Sequence, residues 1–444
     1  MGVRAGRDPP ARRRPSTHGG GAVTGTHTAA RAARPGRAAR VRDLMPSLVL
    51  AAIAFTFVTG ETLPVGLLGD IAAGLDTSPG VVGLSVSVYA ATAALTAVPL
   101  TRLLARWPRR RILVATAAAF TAGHLLVAAA PSVWFLMAGR AVSAVAHGLY
   151  FAVAMPVVTR LAAPEHRGRV GGRIIVGGAT ALVVGTPLVT LLGQAAGWRF
   201  AALAVAGVAL ALAGMLTRTL PSLPVSDDAA AAGGRLLPTL RFPGLPVVLA
   251  VTLLVVGGHF VFFTYLAPYA AQSLDVRGPA FSAVLLGFGL ASVAGSALGG
   301  RLADARPVAG VRAATALFVV VPVALWASGR VDARPLGAAL LAVSGMAFSL
   351  LVVLTVLAAL RRVDDAHAET ANAVHGITFQ AGILGGSALG SLCYRIGQVE
   401  QIPLLTATFG AVAFLLVLTT RRAFGPRHAA PGGDPHVKEP SGPG

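Results

Sequence analysis

Glu61 stands within Leu48–Leu68, a stretch otherwise almost free of charge, and no other acidic residue lies so deep in an apolar segment. A charged side chain at the centre of a bilayer costs roughly 2.5–3.5 kcal/mol on insertion scales, so such residues are usually functional. A carboxyl there can take up and release protons, which is the part a proton-driven pump needs. Arg140 lies comparably deep, and Ser143, Ala144 and His147 follow on its helical face. An embedded arginine needs an acid, for which Glu61 is the natural candidate, or helix carbonyls; holding a helix end is the plainer role. His147 fits a proton carrier or a substrate donor, or else a packed, hydrogen-bonded histidine.

Other residues suit an apolar cavity. Gly257–Pro268 is rich in aromatics and carries His259 and Tyr265. These two lie six apart, about 240° round an ideal helix, so both face one cavity only if the helix is distorted; Tyr265 is the better candidate. Asn372, His375 and Phe379 share a face, with Gln380 beside them, and Tyr89 is a further cavity candidate. Residues such as Asn372, His375 and Gln380 are more often helix–helix hydrogen bonders than ligand contacts. Gly178 and Gly185 share a face with Ala181, with Pro187 as a kink and Gly193 beyond; Ser292, Gly295, Ser296 and Gly299 form a similar small face. Such faces let membrane helices approach closely, either as static packing or as a moving contact between spans 5 and 8. Gly382, Gly386 and Gly390 carry the same ambiguity. Asp304 could anchor a gate by pairing with an arginine or a helix N-terminus, or be a solvated loop acid.

Other chemistry lacks its residues. No phosphate-binding loop is present, no His/Cys set has metal-site spacing, and no nucleophile elbow appears. Neither an enzyme nor a bound cofactor or metal is expected. The only cysteine, Cys393, excludes an intramolecular disulfide.

The elements that must position these residues are membrane helices. The chain has 444 residues, 55% hydrophobic and 12% charged, with mean hydropathy +0.72; soluble domains carry about 25% charged residues. Twelve spans are expected: Pro46–Gly69, Gly80–Leu103, Ile112–Ala130, Val133–Leu161, Val170–Leu192, Trp198–Leu220, Gly244–Ala271, Phe281–Leu302, Val311–Ala327, Pro335–Leu360, Glu369–Cys393 and Ile402–Thr420. The fold expected is an all-α integral membrane protein with two pseudo-symmetric six-helix bundles, 44–220 and 244–422. A cytoplasmic central loop, 221–243, joins them. A disordered basic arm, 1–43, and a disordered tail, 423–444, flank them, and no signal peptide is expected. The net charge of +20 reflects arginines in the tails and in loops after even-numbered spans, among them Arg109, Arg110, Arg167, Arg169, Arg235 and Arg361. That bias indicates cytoplasmic termini rather than a nucleic-acid partner.

The halves repeat. Thr101–Arg106 matches Gly300–Ala305 about 200 residues on. Glu61 and Tyr265 each stand three residues before a proline, Pro64 and Pro268, and each segment leads to Leu-Asp, at Asp76 and Asp275. Parallel six-helix repeats place a substrate site near the midplane, between the halves.

Four segments together resemble the major facilitator superfamily, and within it the 12-span drug:proton antiporters of the arabinose-efflux permease and chloramphenicol exporter branch. Glu61–Leu68 with Asp70-Ile71-Ala72 is similar to the branch's first-span signature. Arg140 with His147-Gly148 is similar to the fourth-span motif, whose arginine is implicated in proton coupling. Gly178–Gly193 with Gly197-Trp198-Arg199 is similar to the fifth-span antiporter motif, and Gly258-His259-Phe260 with Tyr265 and Pro268 to the seventh span. The chain departs from the loop motif G-x-x-x-D-R-x-G-R-R: Thr101, Ala105 and Pro108 replace both glycines and the Asp, while Arg106, Arg109 and Arg110 remain. Ala144 and Gln380 replace a Gly and an Asn. The resemblance implies a monomeric multi-pass protein of the inner plasma membrane. It would export small, largely apolar compounds in exchange for protons by alternating access, with Glu61 and Arg140 as the coupling pair. A sugar or nucleoside exporter, or a receptor without flux, are the alternatives.

Overall fold

The computed structural model describes residues 37–161, 167–221, 236–364 and 367–425. The expected arm up to residue 36, the central loop over 222–235 with Asp227, Asp228 and Arg235, and the tail from 426 lie outside them. Among the described residues every regular element is helical. In chain order the helices are α1 (Arg37–Gly74), α2 (Pro79–Leu103), α3 (Arg109–Ala128), α4 (Val133–Leu161), α5 (Arg167–Thr180), α6 (Thr186–Ala196) and α7 (Trp198–Thr219). They continue with α8 (Leu245–Phe263), α9 (Leu266–Ser273), α10 (Gly278–Ala305), α11 (Pro307–Arg330), α12 (Arg334–Arg361), α13 (Ala368–Arg395) and α14 (Ile402–Thr419). Helix α1 begins at Arg37, inside the stretch expected as an arm, and a 3₁₀ turn, Arg421–Phe424, extends past the expected last bundle residue.

Eleven helical stretches among the described residues are long and apolar enough to cross a membrane. Helix α13, 28 residues long, fills the eleventh expected position and carries the polar Asn372, His375 and Gln380. Proline sits at the first or second position of α2, α8 and α10, where its missing N–H costs no helical bond. Large apolar side chains such as Leu95, Leu188, Leu210, Leu290 and Leu415 are exposed on the outer surface. Lipid chains suit that surface and water does not.

Three interruptions matter for the site. In α1, Leu67 leaves helical geometry three residues after Pro64. Between α5 and α6, Ala181–Gly185 is a π-helical turn just ahead of Pro187. Between α8 and α9, Tyr265 breaks the helix three residues before Pro268. The repeat seen in the sequence is therefore structural: each half opens with a helix broken near a proline. Each broken helix ends on an aspartate at positive φ, 48° at Asp76 and 54° at Asp275, the left-handed region that Asp tolerates better than most residues.

Within Arg42–Gly444, helices before the central loop pack on one another, as α3 on α4 and α7, and α2 on α4. Those after it do likewise, as α10 on α12 and α8 on α13 and α14. Among the described residues the groups meet where α2 lies against α13 and where α6, with the π turn, lies against α10. Both junctions run along the first half of α2 and of α10, toward the Asp76 and Asp275 turns.

Candidate functional site

Pro64 has no N–H, so the carbonyl of Gly60 four residues back loses its helical partner. Arg140 of α4 supplies the donor: Nη1 to Gly60 O at 2.7 Å, and Nη2 to Glu61 O at 2.8 Å. Arg140 is 1% exposed, and its guanidinium lies over the Tyr89 ring, 4.3 Å from the centroid. The expected ion pair is thus corrected. Arg140 holds the backbone of the turn whose helical bond Pro64 removes, ahead of the Leu67 break, and not the Glu61 carboxylate. That carboxylate faces His147, with Oε2 3.8 Å from Nε2, too long for a direct hydrogen bond.

Tyr89, expected in the substrate cavity, is fully buried, and its hydroxyl shares a 2.9 Å hydrogen bond with His147 Nδ1. When Tyr89 donates, the imidazole proton stands on Nε2, toward Glu61. Phe57 and Phe151 pack beside the His147 ring. Glu61, Tyr89, Arg140 and His147 are therefore one cluster built from α1, α2 and α4. The Glu61 side chain keeps 18% of its surface open, against 10% for His147. Thr62 of the same turn bonds Thr186 Oγ1 at 2.8 Å, tying the break in α1 to the start of α6.

The glycine faces do not form the predicted contact between spans 5 and 8. A Cβ on Gly185 would stand 2.0 Å from Thr59 Oγ1, and one on Gly193 would stand 2.2 Å from Leu67 Cδ1, so both face α1. Gly178 has only Val58 of α1 near it. Gly295 meets the Met346 carbonyl and Gly299 the Val353 side chain, both on α12. These glycines close contacts inside each half. The junction between spans 5 and 8 is made instead by Gly289 against Val183 and by Ser282 donating to Gln194 Oε1 at 3.4 Å. Periodicity finds a small face but not its partner.

The remaining predicted cavity residues scatter. Tyr265 crosses to the other half, where its hydroxyl donates to Gly80 O at 3.2 Å. His259 packs flat on Phe348, 3.6 Å between centroids, with Phe260, Phe263 and Phe288 around it. His375 is buried between Thr252, at 3.2 Å, and Thr355, at 3.4 Å, a bond between helices rather than a cavity face. Asn372 is exposed, so it does not share His375's surroundings. Gln380 is half-buried and its Oε1 has no hydrogen-bond partner among the described residues.

At the other end of the bundle, Asp304 pairs with Arg361 Nη2 at 3.1 Å, and Arg361 Nη1 caps Ala303 O at 2.7 Å. This ties α10 to α12 within one half. Arg109 is buried at the start of α3, and Arg110 donates to Thr217 O of α7. Arg199, of the Gly197-Trp198-Arg199 motif, stands at the start of α7. It caps carbonyls at the ends of two helices, Ala130 O at 3.0 Å and Gly74 O at 3.4 Å. His124 of α3, not among the residues expected at the site, packs on Gly60 beneath the cluster. Nothing in its apolar stretch distinguished it from a core histidine.

A family model, Major Facilitator Superfamily, matches residues 50–386. A chloramphenicol efflux pump of Mycobacterium tuberculosis is 36% identical over 373 residues, 83% of this chain and 89% of the pump. A protein of Mannheimia succiniciproducens named "Probable sugar efflux transporter" is 29% identical over 369 residues, 83% of this chain and 91% of that protein. Among solved structures, a bacterial homologue of the human lysosomal transporter Spinster, inward-facing and occupied, superposes with a TM-score of 0.69. It is 15% identical, over 85% of this chain and 96% of that one. A D-xylose–proton symporter gives 0.65 at 15% identity, over 86% and 98%. The chain is an integral membrane transporter, not an enzyme, and belongs to the major facilitator superfamily.

Proposed function

We propose that the protein is a proton-coupled exporter of small, largely apolar compounds of the chloramphenicol kind, working as a monomer in the plasma membrane. The observation that carries this reading is the partly open Glu61 carboxylate, set in a broken helix whose backbone Arg140 holds and facing His147 across 3.8 Å. A proton entering from outside neutralises Glu61 and removes its attraction to the Arg140 guanidinium and the His147 N–H. The carboxyl then lets go of His147 while Arg140 keeps its hold on the α1 backbone, and the two halves rock about the shared site. Substrate meets Glu61 deprotonated from the inside, so drug and proton are carried in opposite directions.

Contacts between the halves crowd the end bearing Asp76 and Asp275. With that end outside, the arrangement corresponds to a state closed outward and open inward. The positive-inside bias supports this orientation and cytoplasmic termini. The efflux pump at 36% identity supports the substrate class. The relatives named for sugar efflux favour a second reading, export of a small sugar.

The test is gradient-driven accumulation of labelled chloramphenicol in proteoliposomes, with a pentose in a parallel arm. Drug accumulation that stops on adding a protonophore supports the first reading. Glu61→Gln keeps the shape without a titrating group and should lose driven accumulation while binding persists. Parental export by that variant would remove Glu61 from the coupling step. Pentose accumulation without drug accumulation would select the second reading.

A further inference from the structure

His124 lies on α3, outside the segments that carry the family resemblance, and is 1% exposed. Its Nδ1 lies 3.2 Å from Phe120 O on its own helix and 3.1 Å from Ser143 Oγ on α4. Its other nitrogen points at α1: a Cβ on Gly60 would stand 2.4 Å from Nε2. Phe120 fills the rest of that space, with Cζ 2.8 Å from the same point, and stacks on Phe57 of α1 at 3.9 Å.

These contacts place one ring against Gly60 of the Arg140–Gly60 clasp and against Ser143, which neighbours Arg140 on α4. Gly60 carries the carbonyl that Arg140 caps. Ser143 stands one turn after Arg140 on the face of α4 that meets α3, where Gly123 and Ser143 are also in contact. Gly60 must be glycine here because the imidazole occupies the side-chain position. A phenylalanine would fill the volume. Only a ring with a nitrogen at Nδ1 also holds Ser143, and thereby the rotation of α4 relative to the broken turn. The titratable and charged groups around it are Glu61 of α1, Tyr89 of α2, and Arg140 and His147 of α4.

We propose that His124 is a positioning residue for proton coupling: bridging Gly60 and Ser143, it fixes the α1 break against α4 and so sets where the Glu61 carboxylate stands relative to His147. The residue does not touch substrate. This inference rests on the proton-coupled reading above.

The test uses the full chain in proteoliposomes with labelled chloramphenicol. One assay measures accumulation under an imposed pH gradient, the other gradient-free exchange of label for unlabelled drug. His124→Phe keeps the ring's bulk and removes both nitrogens, and should exchange within about twofold of the parent. It should lose driven accumulation by about tenfold, the scale of coupling changes from residues that contact neither ligand, and its pH profile should shift. His124→Gln, which restores a polar group, should recover part of the loss. Ser143→Ala should fail in the same direction and add nothing to His124→Phe. In a Glu61→Gln background, His124→Phe should leave exchange unchanged.

Two results would overturn the proposal: parental accumulation with an unshifted pH profile in His124→Phe, or equal loss of exchange and accumulation. Should His124→Phe not reach the membrane, parental driven accumulation by both His124→Gln and Ser143→Ala overturns it instead. A parent protein that exchanges drug but ignores the gradient would sink the proton-coupled reading itself and this proposal with it. That result is distinguishable because it appears without any variant.

Discussion

Tyr265 reaches from the break after α8 to the first turn of α2, where its hydroxyl donates to the Gly80 carbonyl at 3.2 Å. Ser391 of α13 donates to the same oxygen at 2.8 Å. One carbonyl of the first half thus receives two donors from the second. The Tyr265 ring lies flat near Tyr394, 5.6 Å between centroids, and seats where Gly83 has no side chain.

Tyr265→Phe removes one of those donors, a loss of about 1 kcal/mol for a typical hydrogen bond. The contact between α2 and α13 should open more often. Cys393, the only cysteine, stands two residues past Ser391 and is half-buried, so its alkylation rate reports the opening. Labelling should speed up in Tyr265→Phe. It should speed up further in Gly83→Ala, whose Cβ would fall 1.9 Å from the Tyr265 hydroxyl. Equal labelling rates in parent and variants would mean the hydroxyl contributes nothing to closure.

Gly185→Leu should insert normally and transport poorly. The new side chain meets Thr59 and Phe55 of α1, not α10, because Gly185 faces the broken helix. A second-site Thr59→Gly should restore part of the activity, whereas Ser282→Gly on α10, at the junction with α6, should not. Rescue by the α10 change would contradict the packing.

Arg140→Ala leaves the Gly60 and Glu61 carbonyls without their donor, and each unsatisfied buried group costs about 1–3 kcal/mol. Arg140→Lys keeps the charge, but a single ammonium cannot reproduce the planar fork over Tyr89. Both variants should lose driven export, and Lys should melt at a higher temperature than Ala in detergent. Full export by Arg140→Lys would mean that charge alone suffices.

Reporter fusions after Asp76 and Asp275 should read as outside, and fusions in the central loop and at both termini as cytoplasmic. An external central loop would reverse the orientation assigned to the closed end.

The sequence by itself determined the class of protein and its repeat. Runs of about 20 apolar residues leave a membrane helix as the only way to satisfy the backbone. The paired motifs at Glu61–Pro64 and Tyr265–Pro268 marked the two broken helices, because a proline's missing N–H acts wherever the chain goes. Glu61 and Arg140 stood out for the same local reason: charge in an apolar run is costly whatever surrounds it. Which atoms those residues meet was decided only by tertiary structure. Arg140 had an acid and a carbonyl in reach by sequence logic, and the packing of α4 on α1 brought it to the carbonyl that Pro64 had freed. Helical period placed Gly178, Gly185, Gly295 and Gly299 on small faces, but a face does not name its partner, and those faces met α1 and α12. His124 carried no local cost to betray it. A histidine on an apolar helix becomes part of a site only when α1 and α4 close around it, and that closure is a contact between distant segments which no local pattern encodes.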